Sequence, residues 1–155
     1  MVSVFDNPAR SAASLIDDRP EEEIFRVNRA AFTDQAIFAR EMSEIFEKRW
    51  LYLGHESQVP AHGDFIATRI GTHPVFVMRG GDGNVRCFYD ACTHRGSKLT
   101  GRTSGNATTL TCRYHGWCFN ADGACTLVRG GKEAYRGGDL DRMSTDLREI
   151  AGLGS

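Results

Sequence analysis

The sequence lacks any long apolar run. No stretch of it approaches the roughly 18 consecutive apolar residues of a membrane-spanning helix. The first twenty residues carry acidic and basic side chains and no apolar core, so they do not have the form of a secretion signal. We therefore expect a soluble, cytoplasmic protein that has no membrane partner.

An excess of charge of one sign is also missing. Lysine and arginine total 19, aspartate and glutamate total 20, and both signs are interspersed along the chain. This balance provides no electrostatic footprint for nucleic acid, so we expect no nucleic-acid partner. With 155 residues, 41% of them apolar, the chain can form one globular domain that buries about two thirds of its unfolded surface.

Cysteine is present in an odd number without a secretory context, which argues against a disulfide framework. Two of the five cysteines belong to a ligand pattern, so we expect a metal site and reduced thiols. The other three, Cys87, Cys118 and Cys125, are expected to be small buried hydrophobic residues.

Two pairs of soft-metal ligands dominate what the sequence does contain. Cys92 and His94 form a Cys-x-His pair, and after seventeen further residues Cys112 and His115 form a Cys-x-x-His pair. Each pair lies in a short glycine-containing loop, and the two loops can close on each other. Two thiolates and two imidazoles are the ligand set in which two histidines replace two cysteines on one iron of a 2Fe-2S cluster.

A zinc site is the main competing hypothesis, because two cysteines and two histidines also form a structural zinc ligand set. Zinc sites usually pair their cysteines with each other, whereas here each cysteine is paired with a histidine. A third possibility, four unrelated buried side chains, requires a coincidence of spacing in two similar loops. The remaining histidines, His55, His62 and His73, have no cysteine neighbours and are expected to be surface or hydrogen-bonded residues.

The segments Cys92-Thr-His94-Arg95-Gly96 and Cys112-Arg-Tyr114-His115-Gly116-Trp117 resemble the Rieske family. They are similar, more narrowly, to the N-terminal Rieske domain of the large (alpha) subunits of aromatic ring-hydroxylating oxygenases, over about residues 32–128. The resemblance implies a mainly β, antiparallel Rieske-type iron-sulfur domain with two hairpin-tip cluster-binding loops, preceded by an N-terminal α-helix. It also implies the 2Fe-2S ligands, which are Cys92, His94, Cys112 and His115.

The resemblance further implies partners and an electron path. A reductase or ferredoxin would supply electrons, which would continue to a mononuclear Fe(II) that hydroxylates an aromatic ring. Large subunits of this family form trimers or hetero-oligomers with a small subunit, and His94 or His115 would face the neighbouring subunit. By the same resemblance, Tyr114 and Trp117 would pack beside the cluster and Arg95 would help to order the first loop.

Departures from other Rieske proteins predict the redox properties. Respiratory-chain members carry an extra cysteine in each ligand loop, and the comparable positions here are Ser97 and Tyr114, so no clamping disulfide is expected. Those proteins also have a serine where this chain has Trp117. We therefore expect a reduction potential in the lower part of the Rieske range, which spans about -150 to +300 mV.

No histidine follows His115, so we expect no catalytic residue in this chain and the mononuclear iron only in a catalytic domain that is missing from it. A truncated or split oxygenase subunit is the favoured interpretation, because the segment before the first ligand loop resembles the leader of these large subunits. A stand-alone Rieske ferredoxin-type electron carrier is the alternative. The sequence predicts neither the substrate nor the choice between mono- and dioxygenation.

The predicted organisation has four parts: an arm over 1–32, a leader helix over 33–50, the Rieske domain over 51–128 and a glycine-rich tail over 129–155. Thr33 is expected to cap the helix, whose apolar residues fall on one face. Alternation and turn residues predict strands at about 50–54, 64–70, 74–79, 85–89, 108–111 and 117–120. In the tail, Leu140, Met143, Leu147 and Ile150 have weak helical spacing.

Overall fold

The computed structural model describes residues 12–131 and divides the chain into two compact units, Met1–Trp50 and Leu51–Ser155. The helical spacing predicted between Leu140 and Ile150, like nearly all of the glycine-rich tail, lies outside the described residues.

The first unit contains a short β-hairpin that the sequence did not predict. Strand β1 (Ile16–Arg19) pairs antiparallel with strand β2 (Ile24–Val27), and a 3-10 turn over Pro20–Glu22 connects them. Asp17 lies opposite Arg26, and such a pair of opposite charges favours this register. Both strands are only four residues long and largely exposed, so they have no apolar alternation by which they could have been recognised.

The predicted leader helix exists but is shorter and begins differently. Helix α1 (Ala30–Thr33) is followed by helix α2 (Gln35–Glu41) and a π-helical turn over Met42–Phe46. The cap of α2 is Asp34, whose carboxylate accepts hydrogen bonds from the amides of Ala36 at 2.8 Å and Ile37 at 3.4 Å. Thr33 was the wrong choice because it already belongs to α1, where its hydroxyl donates to the Arg29 carbonyl.

The second unit is built on two antiparallel sheets. Their strands are β3 (Asp64–Ile70), β4 (His73–Arg79), β5 (Val85–Tyr89), β6 (Ser104–Asn106), β7 (Thr109–Thr111), β8 (Cys118–Asn120) and β9 (Cys125–Leu127). The four-stranded sheet has the order β5-β4-β3-β6, and the three-stranded sheet has the order β7-β8-β9. The predicted strands at 64–70 and 85–89 are confirmed to the residue.

The strand predicted at 50–54 does not form. Its apolar residues Leu51 and Leu53 pack instead against the small cluster of Ile70, Val75 and Tyr89. Strand β3 is already paired on both edges, with β4 and β6, so it offers no free edge for another strand. Leu51 and Leu53 are half-buried and Trp50 and Tyr52 are exposed, so this apolar run reflects partial burial without a strand partner.

The main core contains side chains from both sheets and both ligand loops. Its fully buried members are Phe76, Met78, Phe88, Trp117 and Phe119. Cys92 and Cys112 belong to the same cluster. The core therefore joins the two ligand loops to the two sheets.

The two sheets are also joined at their turns. The Gly81 amide, in the turn between β4 and β5, donates to the Asp122 carboxylate at 2.9 Å, and Asp122 lies in the turn between β8 and β9. Arg86 approaches the same carboxylate at 3.6 Å. Since β5 leads away from the first turn and β8 leads toward the second, both ligand loops lie at the opposite end of the sheets.

Within residues 12–131, no helix has the length and apolar character needed to cross a membrane.

Candidate metal centre

The two ligand loops have the same backbone hydrogen-bond pattern. The Cys92 amide donates to the Ser97 carbonyl at 2.8 Å, and the Gly96 amide donates back to the Cys92 carbonyl at 2.7 Å. In the second loop the Cys112 amide donates to the Trp117 carbonyl at 2.8 Å, and the Gly116 amide to the Cys112 carbonyl at 2.9 Å. Two unlike sequences therefore form the same six-residue loop.

A glycine four residues after each cysteine allows this conformation. Gly96 has a φ of 68° and Gly116 a φ of 72°, the left-handed region that side chains with a Cβ rarely adopt. The histidine comes two residues after the cysteine in the first loop and three residues after it in the second. The unequal spacing of the two motifs therefore arises inside loops of equal length.

The loops differ in how the sheets hold them. The second loop closes the hairpin of β7 and β8, in which Thr111 pairs with Cys118. The first loop does not close a hairpin, because it lies on the connection between β5 and β6, which are opposite edges of the four-stranded sheet. The prediction of two hairpin-tip loops is therefore right for the second loop only.

The two thiols face each other in the core. Cys92 and Cys112 are both 2% exposed, and the Cys92 thiol donates a hydrogen bond to the Cys112 sulfur. Burial raises the pKa of Cys92 to about 11, although the amides of His94 and Arg95 point at its sulfur. Burial also opposes ionisation of Cys112, but the amides of Tyr114 and His115 hold the pKa of its thiol below the ordinary value.

Cys112 receives one further hydrogen bond, from the Ser97 side chain of the first loop. By the resemblance described above, Ser97 is the residue comparable to a disulfide cysteine of respiratory-chain Rieske proteins. None of the five cysteines, all of which lie in the described part of the chain, belongs to a disulfide. A hydroxyl-to-sulfur hydrogen bond therefore links the two loops here.

The two imidazoles also lie together, on the more exposed side of the thiols. The ring centroids of His94 and His115 are 4.4 Å apart, with an interplanar angle of 61°. Both rings are half-buried, as expected for side chains at loop tips. Burial, followed by the nearby charges of His115 and Arg95, lowers the pKa of His94 and so favours the neutral imidazole that ligates metals.

Aromatic side chains flank both imidazoles. The Trp117 ring is fully buried and stacks on His94, with centroids 4.8 Å apart and planes within 6°. The Tyr114 ring lies 3.9 Å from that of His115 and is 62% exposed. His94 is thus held from the core side, while His115 is covered by a ring that reaches the surface.

This donor set fits a two-iron cluster. Thiol lies beside thiol and imidazole beside imidazole, which is the division expected when two cysteines hold one iron and two histidines hold the other. A tetrahedral zinc site would instead bring all four donors to one point. In the part of the chain that the structure describes, no group of three or more His, Cys, Asp and Glu side chains is placed to hold a metal ion.

Sequence reasoning missed Asp90, which is 2% exposed. Its carboxylate accepts hydrogen bonds from the amides of Leu99 at 2.9 Å and Thr100 at 2.8 Å, at the exit of the first ligand loop. An aspartate directly after a strand and two residues before a ligand cysteine was the available signal. It was overlooked because isolated aspartates in loops are common.

The remaining cysteines and histidines lie outside the loops. Cys125 is buried as expected, whereas Cys87 and Cys118 are only half-buried. His55 caps a 3-10 turn by accepting from the Ser57 amide, and His73 contacts the edge of Tyr89. These two histidines have the structural roles expected of them.

Residues 49–136 match the family model described as the Rieske [2Fe-2S] domain. Over 143 residues the chain is 41% identical to the toluate 1,2-dioxygenase subunit alpha of Pseudomonas putida, an alignment that covers 92% of this chain and 32% of that protein.

Two solved structures are similar to the chain as well. A quaternary ammonium Rieske monooxygenase in complex with an inhibitor superposes with a TM-score of 0.67 and 31% identity, covering 74% of this chain and 32% of that one. Naphthalene 1,2-dioxygenase with indole in its active site superposes with a TM-score of 0.63 and 37% identity, covering 70% and 24%. The chain thus spans a third or less of the length of these relatives.

Proposed function

Because the chain belongs to the Rieske 2Fe-2S domain family, we propose that it is the electron-accepting portion of an aromatic ring-hydroxylating oxygenase large subunit. Its ligands would be Cys92, Cys112, His94 and His115. A bound cluster of this type supplies one-electron transfer at a potential raised by its two histidines. The observation that carries the proposal is the side-by-side placement of the two thiols and of the two imidazoles.

The cysteines would bind the cluster from the core, and the histidines would bind it at the more exposed edge. Cys92 and Cys112 would ligate as thiolates from the core, where four backbone amides already point at their sulfurs. His94 and His115 would ligate through one ring nitrogen and keep the other for a hydrogen bond, which fixes ring orientation. Electrons would enter or leave at the half-buried histidine edge, since the thiol side is closed by the core.

The donor would be a reductase or ferredoxin, and the surface around the loops favours an acidic one. The segment 91–121, which contains both ligand loops, carries four cations and no carboxylate, although the whole chain has a net charge of -1. Arg95, Arg102 and Arg113 are exposed. Complementary charge speeds the encounter of electron-transfer partners.

The acceptor would be a mononuclear iron held by protein outside these 155 residues, in a trimer or a hetero-oligomer with a small subunit. The chain is similar to oxygenase subunits, and those subunits are longer than this chain. The alignment with one of them covers 92% of this chain, including most of the first unit. Coverage of that unit favours an oxygenase subunit over a stand-alone ferredoxin-type carrier. An aromatic substrate is favoured because the toluate and naphthalene enzymes are named for one.

The first test is the metal content of the chain, purified anaerobically. We expect two irons and two acid-labile sulfides per chain, with a visible absorption that bleaches when dithionite is added. Colourless protein with one zinc and no sulfide would overturn the proposal. A redox titration on the same sample should give a potential in the lower part of the range of about -150 to +300 mV, and a value well above zero would contradict the argument from Trp117.

Single substitutions identify the ligands. Cys92→Ala and Cys112→Ala should each abolish the visible absorption, because an alanine cannot ligate iron. Cys87→Ala is the matched control, since Cys87 is a free, half-buried thiol on β5 outside both loops. Full absorption in either loop variant, or its loss in the control, would show that the assigned ligands are wrong.

A further inference from the structure

Among the residues that the structure describes, Asp90 is the one buried carboxylate beside the ligand loops. Its Oδ1 accepts from the Leu99 and Thr100 amides, and its Oδ2 accepts from the Thr100 hydroxyl and lies 3.6 Å from the Lys98 ammonium. Its side chain is only 1% exposed, while that of Lys98 is 61% exposed. The two amides and the Lys98 ammonium can only donate, so Asp90 serves all three as the acceptor.

These contacts tie the two ends of the first ligand loop together. Asp90 stands two residues before Cys92, and the amides that it accepts stand just after the loop closes at Ser97. The Asp90 amide donates to the Pro74 carbonyl at 2.9 Å, which anchors this junction to β4. The second loop gains the same closure from the paired strands β7 and β8, which the first loop lacks. The contacts of the Asp90 carboxylate therefore hold the ends of the first loop together, as strand pairing does for the second loop.

Asp90 also lies close in the chain to a proposed ligand of the cluster. The Cα atoms of residues two apart in a chain are at most about 7 Å apart, which bounds the separation of Asp90 and Cys92 at their Cα atoms. The Lys98 ammonium is exposed, whereas the Asp90 side chain is buried, and a charge inside the protein is screened by salt far less than one at the surface. The ammonium therefore offsets only part of the effect of the carboxylate, which would repel an electron added to nearby iron.

From these two observations we propose that Asp90 is a positioning residue with a second, electrostatic role. It holds the first ligand loop in its ligating shape, and its buried negative charge lowers the reduction potential. This inference rests on the proposed function for its electrostatic half only, because the anchoring contacts are all made between residues of the chain itself.

Two substitutions separate the two roles. Asp90→Asn keeps an oxygen that can accept from Leu99 and Thr100 but removes the charge, so the variant should fold, hold two irons per chain and titrate at a higher potential than the parent protein. Asp90→Ala removes the acceptor as well. It should lower the thermal unfolding midpoint of the iron-free protein and reduce the iron and sulfide retained after purification.

Asp122→Asn is the matched control, because Asp122 also accepts from a backbone amide but lies in the turn at the opposite end of the sheets. Its potential should equal that of the parent protein. An unchanged potential in Asp90→Asn, or an equal rise in the control, would overturn the electrostatic role. An unchanged midpoint and iron content in Asp90→Ala would overturn the positioning role.

Failure of the proposed function has a different signature. The parent protein itself would then contain no iron and sulfide, while the midpoint of iron-free Asp90→Ala would still report on the anchoring of the loop.

Discussion

At the scale of single residues, Trp117 connects the core to the proposed metal site. It is fully buried in the core and stacks on His94. We predict that Trp117→Ala lowers the free energy of unfolding by about 3 to 5 kcal/mol, because the substitution leaves a large cavity in a packed core. Chemical denaturation of the iron-free protein, followed by circular dichroism, measures this loss without interference from the cluster.

Tyr114→Ala is the aromatic control for this prediction. Tyr114 also lies against a ligand histidine, but it is 62% exposed, so its truncation should change the free energy of unfolding by no more than about 1 kcal/mol. Equal losses of unfolding free energy in the two variants would mean that burial does not determine how much these two rings contribute to stability.

How far the sequence predicts the site also differs residue by residue. The two cysteines and two histidines could be proposed as ligands from the sequence because ligand chemistry dictates residue types and spacing. The stacking of Trp117 on His94 and the anchoring by Asp90 depend on which side chains the fold brings together. A single aspartate or tryptophan in a sequence does not show which side chain or amide it contacts in the fold.

At the scale of elements, the turn between β4 and β5 makes a pH-dependent contribution to stability. Asp82 accepts hydrogen bonds from Arg86 and from the side chain and amide of Asn84, and these contacts hold the pKa of its carboxyl well below the usual range. A depressed pKa in the folded state means that the contribution is present above the unfolded pKa of about 3.9 and is lost as the pH falls further. Asp82→Asn should therefore lower the thermal midpoint at pH 7, and the difference from the parent protein should shrink below about pH 4.

Scanning calorimetry between neutral and acid pH tests this prediction. Asp18→Asn is the control, an exposed aspartate on β1 whose substitution should not change the midpoint. A difference for Asp82→Asn that stays constant from pH 7 to the lowest accessible pH would contradict the role of the ionised carboxylate.

The elements themselves were predictable where one face is buried. Strands β3 and β5 were placed correctly because their buried residues alternate with more exposed ones or lie between clear turns. The hairpin of β1 and β2 is largely exposed on both faces. In residues 50–54, Leu51 and Leu53 are half-buried without a strand partner, while Trp50 and Tyr52 are exposed. In these two segments the spacing of the apolar residues does not indicate whether the backbone forms strand hydrogen bonds.

At the scale of the whole molecule, charge is distributed unevenly although the total is nearly balanced. The segment 91–121 has four cations and no carboxylate, so the remainder of the chain is acidic. We expected from the sequence that both signs are interspersed, which holds for the chain as a whole but not for this segment, and so had no reason to expect an acidic partner. The uneven distribution becomes informative only because the same segment contains both ligand loops.

We therefore predict that electron transfer from an acidic ferredoxin slows as salt is added. The Debye length falls from about 30 Å at 0.01 M salt to about 8 Å at 0.15 M, which screens the attraction between exposed charges. Arg113→Glu should slow the bimolecular rate at low salt and weaken its salt dependence, while the iron content stays unchanged. Arg40→Glu, an equal charge reversal at an exposed position on α2, should change the rate less. Stopped-flow reduction measures the rates, and equal effects of both reversals would show that total charge, rather than the surface around the ligand loops, guides the donor.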